Sequence, residues 1–119
     1  MEQDLVDLDF LYQISGKDPV YMYELITIFM EVVQPGVAKL KEIVAETNDF
    51  NAIHKQAHYL KSSAAIIKIK GIFEDLTRIV ALATEHKGKE EIEAITANIV
   101  ANFNKAIPFL LAEKGKYAP

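Results

Sequence analysis

The segment AHYLKSSA at residues 57–64 places a histidine three residues before a lysine and continues with small side chains. If the segment is helical, His58 and Lys61 share one face, so the ammonium could reach a negative group carried by the imidazole. A neutral imidazole has a ring nitrogen with a free lone pair, which can attack an electrophile. Ser62 and Ala65 lie beside the histidine and are small, which leaves room for a large partner. This spacing suits a histidine that accepts a charged group at a helix surface.

The helix that carries this histidine has two distinct faces when its residues are spaced by about 100°. Six apolar residues form a stripe that should be buried: Phe50, Ile53, Ala57, Leu60, Ala64 and Ile67. The adjacent face carries His54, His58, Lys61, Ser62 and Ala65, with Lys55 at its margin. His54 and Lys55 are, in the simplest interpretation, solvated helix residues, and Ala65 is an ordinary small helix residue. Docking of a partner is the alternative for all three.

The composition is that of a folded globular protein. The chain has 119 residues, 50% hydrophobic and 25% charged, so we expect a single domain over residues 1–119. A net charge of −4 argues against broad nucleic-acid binding, which needs a basic face. The lack of cysteine excludes disulfides and thiolate metal sites. Because the N-terminus has no signal-peptide pattern and no apolar run approaches the length of a membrane span, we expect a cytoplasmic protein.

Apolar periodicity and helix-end residues predict an all-α fold without strands. The predicted elements are a short helix at 8–14, a helix at 19–45 bent at Pro35 (or two helices there), a histidine helix from 48 or 49 to 68 or 70, a helix from 72 to about 88, and a last helix carrying Ile92 to Leu110. The tail from about residue 113 should fray. Long amphipathic helices with short connections predict an up-down antiparallel four-helix bundle with a short additional N-terminal helix.

The stretch AHYLKSSAAI resembles the signature of histidine-containing phosphotransfer (HPt) domains. Six residues match that signature: Ala57, His58, Leu60, Lys61, Ser63 and Ala64. The region from residue 7 to 63 is also similar to the family in its order of elements, and the last two helices match it in length and apolar period. One departure is Ser62, where the family usually has glycine, which clears room for the partner.

The resemblance implies a phosphocarrier in a two-component phosphorelay. His58 would take a phosphoryl group from the aspartyl phosphate of a response-regulator receiver domain and pass it to another receiver, with Lys61 stabilising the charge. The expected partners are receiver domains and a hybrid sensor histidine kinase, and docking is expected at Ser62, Ala65, His54 and Lys55. The chain would not be an enzyme by itself. It would have no cofactor of its own, the receiver would supply Mg²⁺, and it would be a monomer.

Two other interpretations compete with this one. His54 and His58 are four residues apart, a spacing that can hold Zn²⁺. The H-E-x-x-H pattern fails, however, because residue 55 is lysine, and no third ligand is identifiable, so no metal site is predicted. A helical module that binds a partner without phosphoryl chemistry is the second alternative.

Overall fold

The part of the chain that the structure describes is all-helical apart from one very short pair of strands. The computed structural model describes residues 5–119. In chain order the elements are β1 Val6–Asp7, α1 Asp9–Ser15, α2 Pro19–Glu46, α3 Phe50–Ala64, β2 Lys68–Ile69, α4 Ile72–Thr84 and α5 Lys89–Lys116. Among the described residues, no helix is both long enough and apolar enough to cross a lipid bilayer.

One hydrophobic core joins all five helices. Helix α3 packs against α2 and α4, α5 packs against the same two helices, and α1 packs against α2. The largest fully buried side chains come from every helix and from the turn after α3: Leu11, Met22, Ile26, Leu40, Ile53, Leu60, Ile67, Leu76, Ile79, Ile92, Ile99 and Phe103. The molecule is elongated, with extents of 45 × 24 × 20 Å, because α2 and α5 each contain 28 residues.

Helix α2 is one continuous helix, as predicted in preference to two. The Asp18 carboxylate accepts a hydrogen bond from the Tyr21 amide at 3.1 Å, and Pro19 occupies the first helical position. The helix then continues through Pro35. The next residue, Gly36, is buried against α3, where Gln56 Nε2 donates to the Gly36 carbonyl at 2.9 Å. Glycine leaves the space that the Leu60 side chain occupies, since a Cβ at residue 36 would lie 2.6 Å from Leu60 Cδ2.

Helix α3 begins where the sequence predicted and ends earlier. Asp49 caps it by accepting a hydrogen bond from the Ala52 amide at 3.1 Å. It ends at Ala64, so the prediction that it extends to residue 68 or 70 is wrong. The reason is a pairing with the N-terminal segment: Lys68 and Ile69 form β2, antiparallel to β1. The prediction of no strands is also wrong. Strands of only two residues are too short to show an alternating apolar pattern in the sequence.

The other helix ends also differ from the prediction. Helix α1 starts one residue later than expected, and α4 stops at Thr84 instead of near residue 88. Helix α5 passes through Pro108 and runs to Lys116, three residues beyond the point from which the tail is predicted to fray. The tail is held because Glu113 is buried and its carboxylate pairs with Lys116 Nζ at 2.7 Å, while Tyr117 packs against the core.

Candidate functional site

His58 lies on the exposed side of α3, as the helical wheel predicts. Ala57, one residue before His58, and Leu60, two residues after it, are buried, with exposed fractions of 0% and 2%. These side chains hold α3 against its neighbours, and the imidazole therefore points away from the core into solvent. The fold thus presents the ring on a rigid element where a second molecule can reach it.

The His58 ring is stacked on the ring of His54, one helical turn earlier. The two ring centroids are 6.0 Å apart and the planes are inclined by 16°. His54 is half-buried, and His58 is exposed. The sequence prediction that the two histidines are neighbours on one face is therefore confirmed.

Lys61 lies in the last turn of α3, on the side of the helix that faces α4. A cation there interacts favourably with the negative end of the helix dipole. The side chain is half-buried, and its ammonium rests over the ring of Phe73 at 5.2 Å from the centroid. Lys61 and His58 are three residues apart in an unbroken helix, so they share a face as predicted.

The residues expected to contact a partner are spread over the exposed face of α3, which carries His58, and over the two sides of this helix that border α2 and α4. Ser62 is exposed in the last turn. Ala65 is exposed too, but it caps the helix instead of continuing it, and its amide donates to the carbonyls of Lys61 and Ser63. Ala65 lines an open groove of about 670 Å³ beside α4, whereas Lys55 lines another of about 610 Å³ beside α2.

Sequence reasoning missed two aromatic residues next to the exposed face of α3. Phe73 is apolar but 38% exposed, and it lines the groove beside α4. It turns outward because Ile72, one residue earlier, occupies the buried face, and adjacent helix residues differ by about 100°. Tyr59 is 54% exposed and lines the groove beside α2 together with Lys55. Its position next to His58 was the available signal.

The exposed face of α3 that carries His54, His58 and Lys61, here called the histidine face, combines a possible nucleophile with a cation. An exposed imidazole can attack an electrophile, and an ammonium on the same face can balance negative charge. Within residues 5–119, no three His, Asp or Glu side chains are grouped so that they could hold a metal ion. The third histidine, His86, contacts Phe50 at the start of α3, with ring centroids 5.5 Å apart and the planes tilted by 47°.

Comparisons of the chain with known protein families, with curated proteins and with solved structures find no match. Its function is therefore inferred from the residues of the histidine face and from the motif that they form.

Proposed function

We propose that the protein is a histidine phosphocarrier of a two-component phosphorelay, in which His58 accepts a phosphoryl group from a receiver-domain aspartate and passes it to another receiver. The observation that carries the proposal is the exposed His58 on α3 with Lys61 one turn later, inside the sequence AHYLKSSAA. The residues that follow are small, so a flat partner surface can approach the ring. We place this activity in the cytoplasm, where receiver domains would have access to it.

The proposal includes an up-down antiparallel arrangement of α2 to α5 as a four-helix bundle, with α1 added at one end. It is supported by the packing of α2 and α4 against both α3 and α5, and by connections of only three to seven residues between consecutive long helices. In such a bundle the histidine helix is held on two sides, and its third side faces a partner.

The transfer forms one bond and breaks one. The lone pair of a neutral imidazole nitrogen attacks phosphorus, and the bond from phosphorus to the aspartyl oxygen breaks with its electron pair moving onto that oxygen. The aspartate is released as a carboxylate. The phosphorylated ring carries a positive charge until the proton on its other nitrogen leaves to water. Transfer to the next receiver is the same step in reverse.

Lys61 would act by charge alone. The transferred group carries negative charge on its peripheral oxygens throughout the reaction, and an ammonium one helical turn away lowers the energy of that charge. Because the site is open to water, its effect in the free carrier is of order 1 kcal/mol, and it grows when a partner excludes water.

The rest of the reaction site would come from the receiver. The chain carries no nucleotide-binding glycine loop in its sequence, so the receiver is the source of the phosphoryl group and of Mg²⁺. The carrier contributes an oriented nucleophile and a surface for docking, to which Ser62, Ala65, His54 and Lys55 are the candidate contributors. We propose that it works as a monomer.

The direct test is phosphoryl transfer from a purified receiver. The protein is mixed with receivers that carry a radioactive aspartyl phosphate in the presence of Mg²⁺, and the label on the carrier is followed over time. We expect an acid-labile label that mass spectrometry places on His58. The variant His58→Gln should take no label, while His54→Gln, which removes the adjacent imidazole of the same helix, should still be labelled at His58.

Circular dichroism provides the control for folding, because the exposed ring of His58 makes no contribution to the core. If a panel of receivers binds the protein but leaves no label on His58, the protein is a helical interaction module without phosphoryl chemistry. If His58→Gln is labelled as fast as the parent protein, the assignment of His58 is wrong.

A further inference from the structure

The ammonium of Lys61 is held by an aromatic ring on the neighbouring helix. Phe73 lies in the first turn of α4, and its ring centroid is 5.2 Å from Lys61 Nζ. A cation at this distance from the face of a ring is attracted by the negative charge density of the π system. Phe73 thus restrains a side chain that would otherwise move through many rotamers, since lysine has a long flexible stem.

An aromatic ring leaves the positive charge of the Lys61 ammonium available to another group, whereas a carboxylate does not. A carboxylate would neutralise the ammonium and would compete with a phosphoryl group for it. A ring attracts the ammonium without adding a negative charge, so the full positive charge remains. Among residues 5–119, the salt bridges involve Arg78, Lys87, Lys89 and Lys116, and none involves Lys61.

We propose that Phe73 is a positioning residue for phosphoryl transfer: its ring holds the Lys61 ammonium, one helical turn from His58, while leaving its charge free for the incoming group. This inference rests on the proposed function of His58. Phe73 does not touch the reacting atoms and acts through Lys61. The expected consequence is that loss of the ring face weakens the effect of Lys61 and changes nothing when Lys61 is already absent.

The chain offers a matched control in Phe10. Both phenylalanines line the groove of about 670 Å³ beside α4, and both are similarly exposed, at 41% for Phe10 and 38% for Phe73. Only Phe73 lies under the lysine. A partner that simply used the groove as an apolar docking surface would be affected by loss of either ring. A role in holding Lys61 concerns Phe73 alone.

The test uses phosphoramidate, a small phosphoryl donor that reacts with histidine and needs no docking surface. In that reaction the imidazole lone pair attacks phosphorus and the phosphorus–nitrogen bond of the donor breaks, releasing ammonia after proton uptake from water. We expect Phe73→Leu to slow labelling of His58 by about two- to fivefold, the factor that an exposed cation–π contact provides. Phe73→Tyr, which keeps a ring face, and Phe10→Leu should label at the parent rate.

Two further measurements separate positioning from a general structural effect. In a Lys61→Met background, Phe73→Leu should cause no additional slowing. In the unphosphorylated protein, the nuclear magnetic resonance signals of the Lys61 ε-methylene should be shifted upfield by the ring. That shift should vanish in Phe73→Leu and persist in Phe73→Tyr.

The proposal is overturned if Phe73→Leu labels at the parent rate, if the slowing persists unchanged in the Lys61→Met background, or if Phe10→Leu slows labelling by the same factor. A parent protein that takes no label from phosphoramidate or any receiver would instead remove the reaction itself, and with it both proposals. The methylene shift would still report whether Phe73 holds Lys61, so the two failures are distinguishable.

Discussion

Replacing Gly36 by alanine tests how closely α2 approaches the histidine helix. Gly36 is buried inside α2 and faces α3. A Cβ atom added there would lie 2.6 Å from Leu60 Cδ2 and 3.6 Å from Gln56 Nε2. Leu60 is only 2% exposed, so its methyl group cannot turn into solvent to make room. Either the side chain leaves its preferred rotamer or the two helices move apart.

Two effects of opposite sign decide the magnitude. Alanine is favoured over glycine inside a helix by about 1 kcal/mol. Forcing an extra methyl into a packed core typically costs about 1–3 kcal/mol. The net change in the free energy of unfolding should therefore be a loss of about 0–2 kcal/mol. Gly115 in α5 supplies the matched control, because an added Cβ there has no atom within 4 Å. Gly115→Ala should be neutral or slightly stabilising.

The assay is urea denaturation of both variants, followed by far-ultraviolet circular dichroism. Gly36→Ala should be less stable than Gly115→Ala by about 1–3 kcal/mol, since only the first meets a neighbour. In a Leu60→Val background the clashing methyl is absent, so the cost of Gly36→Ala should fall. If the two glycine variants unfold at the same urea concentration, the conclusion that α3 packs tightly against Gly36 is wrong.

Three further predictions concern the site and the C-terminal end. Lys61→Ala should slow phosphoryl transfer to the site about fivefold, as the loss of about 1 kcal/mol of charge stabilisation requires, and an unchanged rate constant in the receiver assay would remove its electrostatic role. Burial raises the pKa of Tyr12 to about 12, with Tyr117 and Glu113 adding to the shift. Because the raised pKa means that the folded protein favours the neutral Tyr12 phenol, the stabilisation that this phenol gives is complete below pH 10 and is lost as the pH rises towards 12. In thermal melts over that range, the Tyr12→Phe variant should therefore lose less stability than the parent protein. Lys116→Met should lower the melting temperature more than Glu113→Gln, since it leaves a buried carboxylate without its cation, and the reverse order would contradict the importance of that pair.

The position of His58 could be predicted because it depends on local periodicity. The stripe that includes Ile53, Ala57 and Leu60 repeats every three to four residues, and burying it turns His58 outward whatever the neighbours are. The cap at Asp49 was predictable for the same reason, since an N-cap is a local feature. The all-helical character of the chain followed from the same kind of pattern.

The end of the histidine helix could not be predicted, because it depends on residues about sixty positions away. Lys68 and Ile69 adopt an extended conformation to pair with Asp7 and Val6, and the Lys70 amide donates to the Leu5 carbonyl at 2.7 Å. No pattern within residues 65–70 reports that pairing. The contact between Lys61 and Phe73 was hidden in the same way, since it joins two helices across this connection.

The histidine helix is positioned by long-range packing, whereas its exposed face is held only by side-chain contacts that a partner can rearrange. Its buried stripe packs against α2 and α4, and the Gln56 amide adds a hydrogen bond to the Gly36 carbonyl at 2.9 Å. The His58 ring stacks on another imidazole, and the Lys61 ammonium rests on a ring. Because these contacts lie outside the buried core, substitutions at His58 and Lys61 should change transfer much more than stability. Gly36→Ala should do the opposite unless the displacement of α3 also moves the ring, in which case transfer and stability fall together. Measuring both quantities for the same variants therefore distinguishes a site that depends on its exposed side chains from one that depends on the exact placement of its helix.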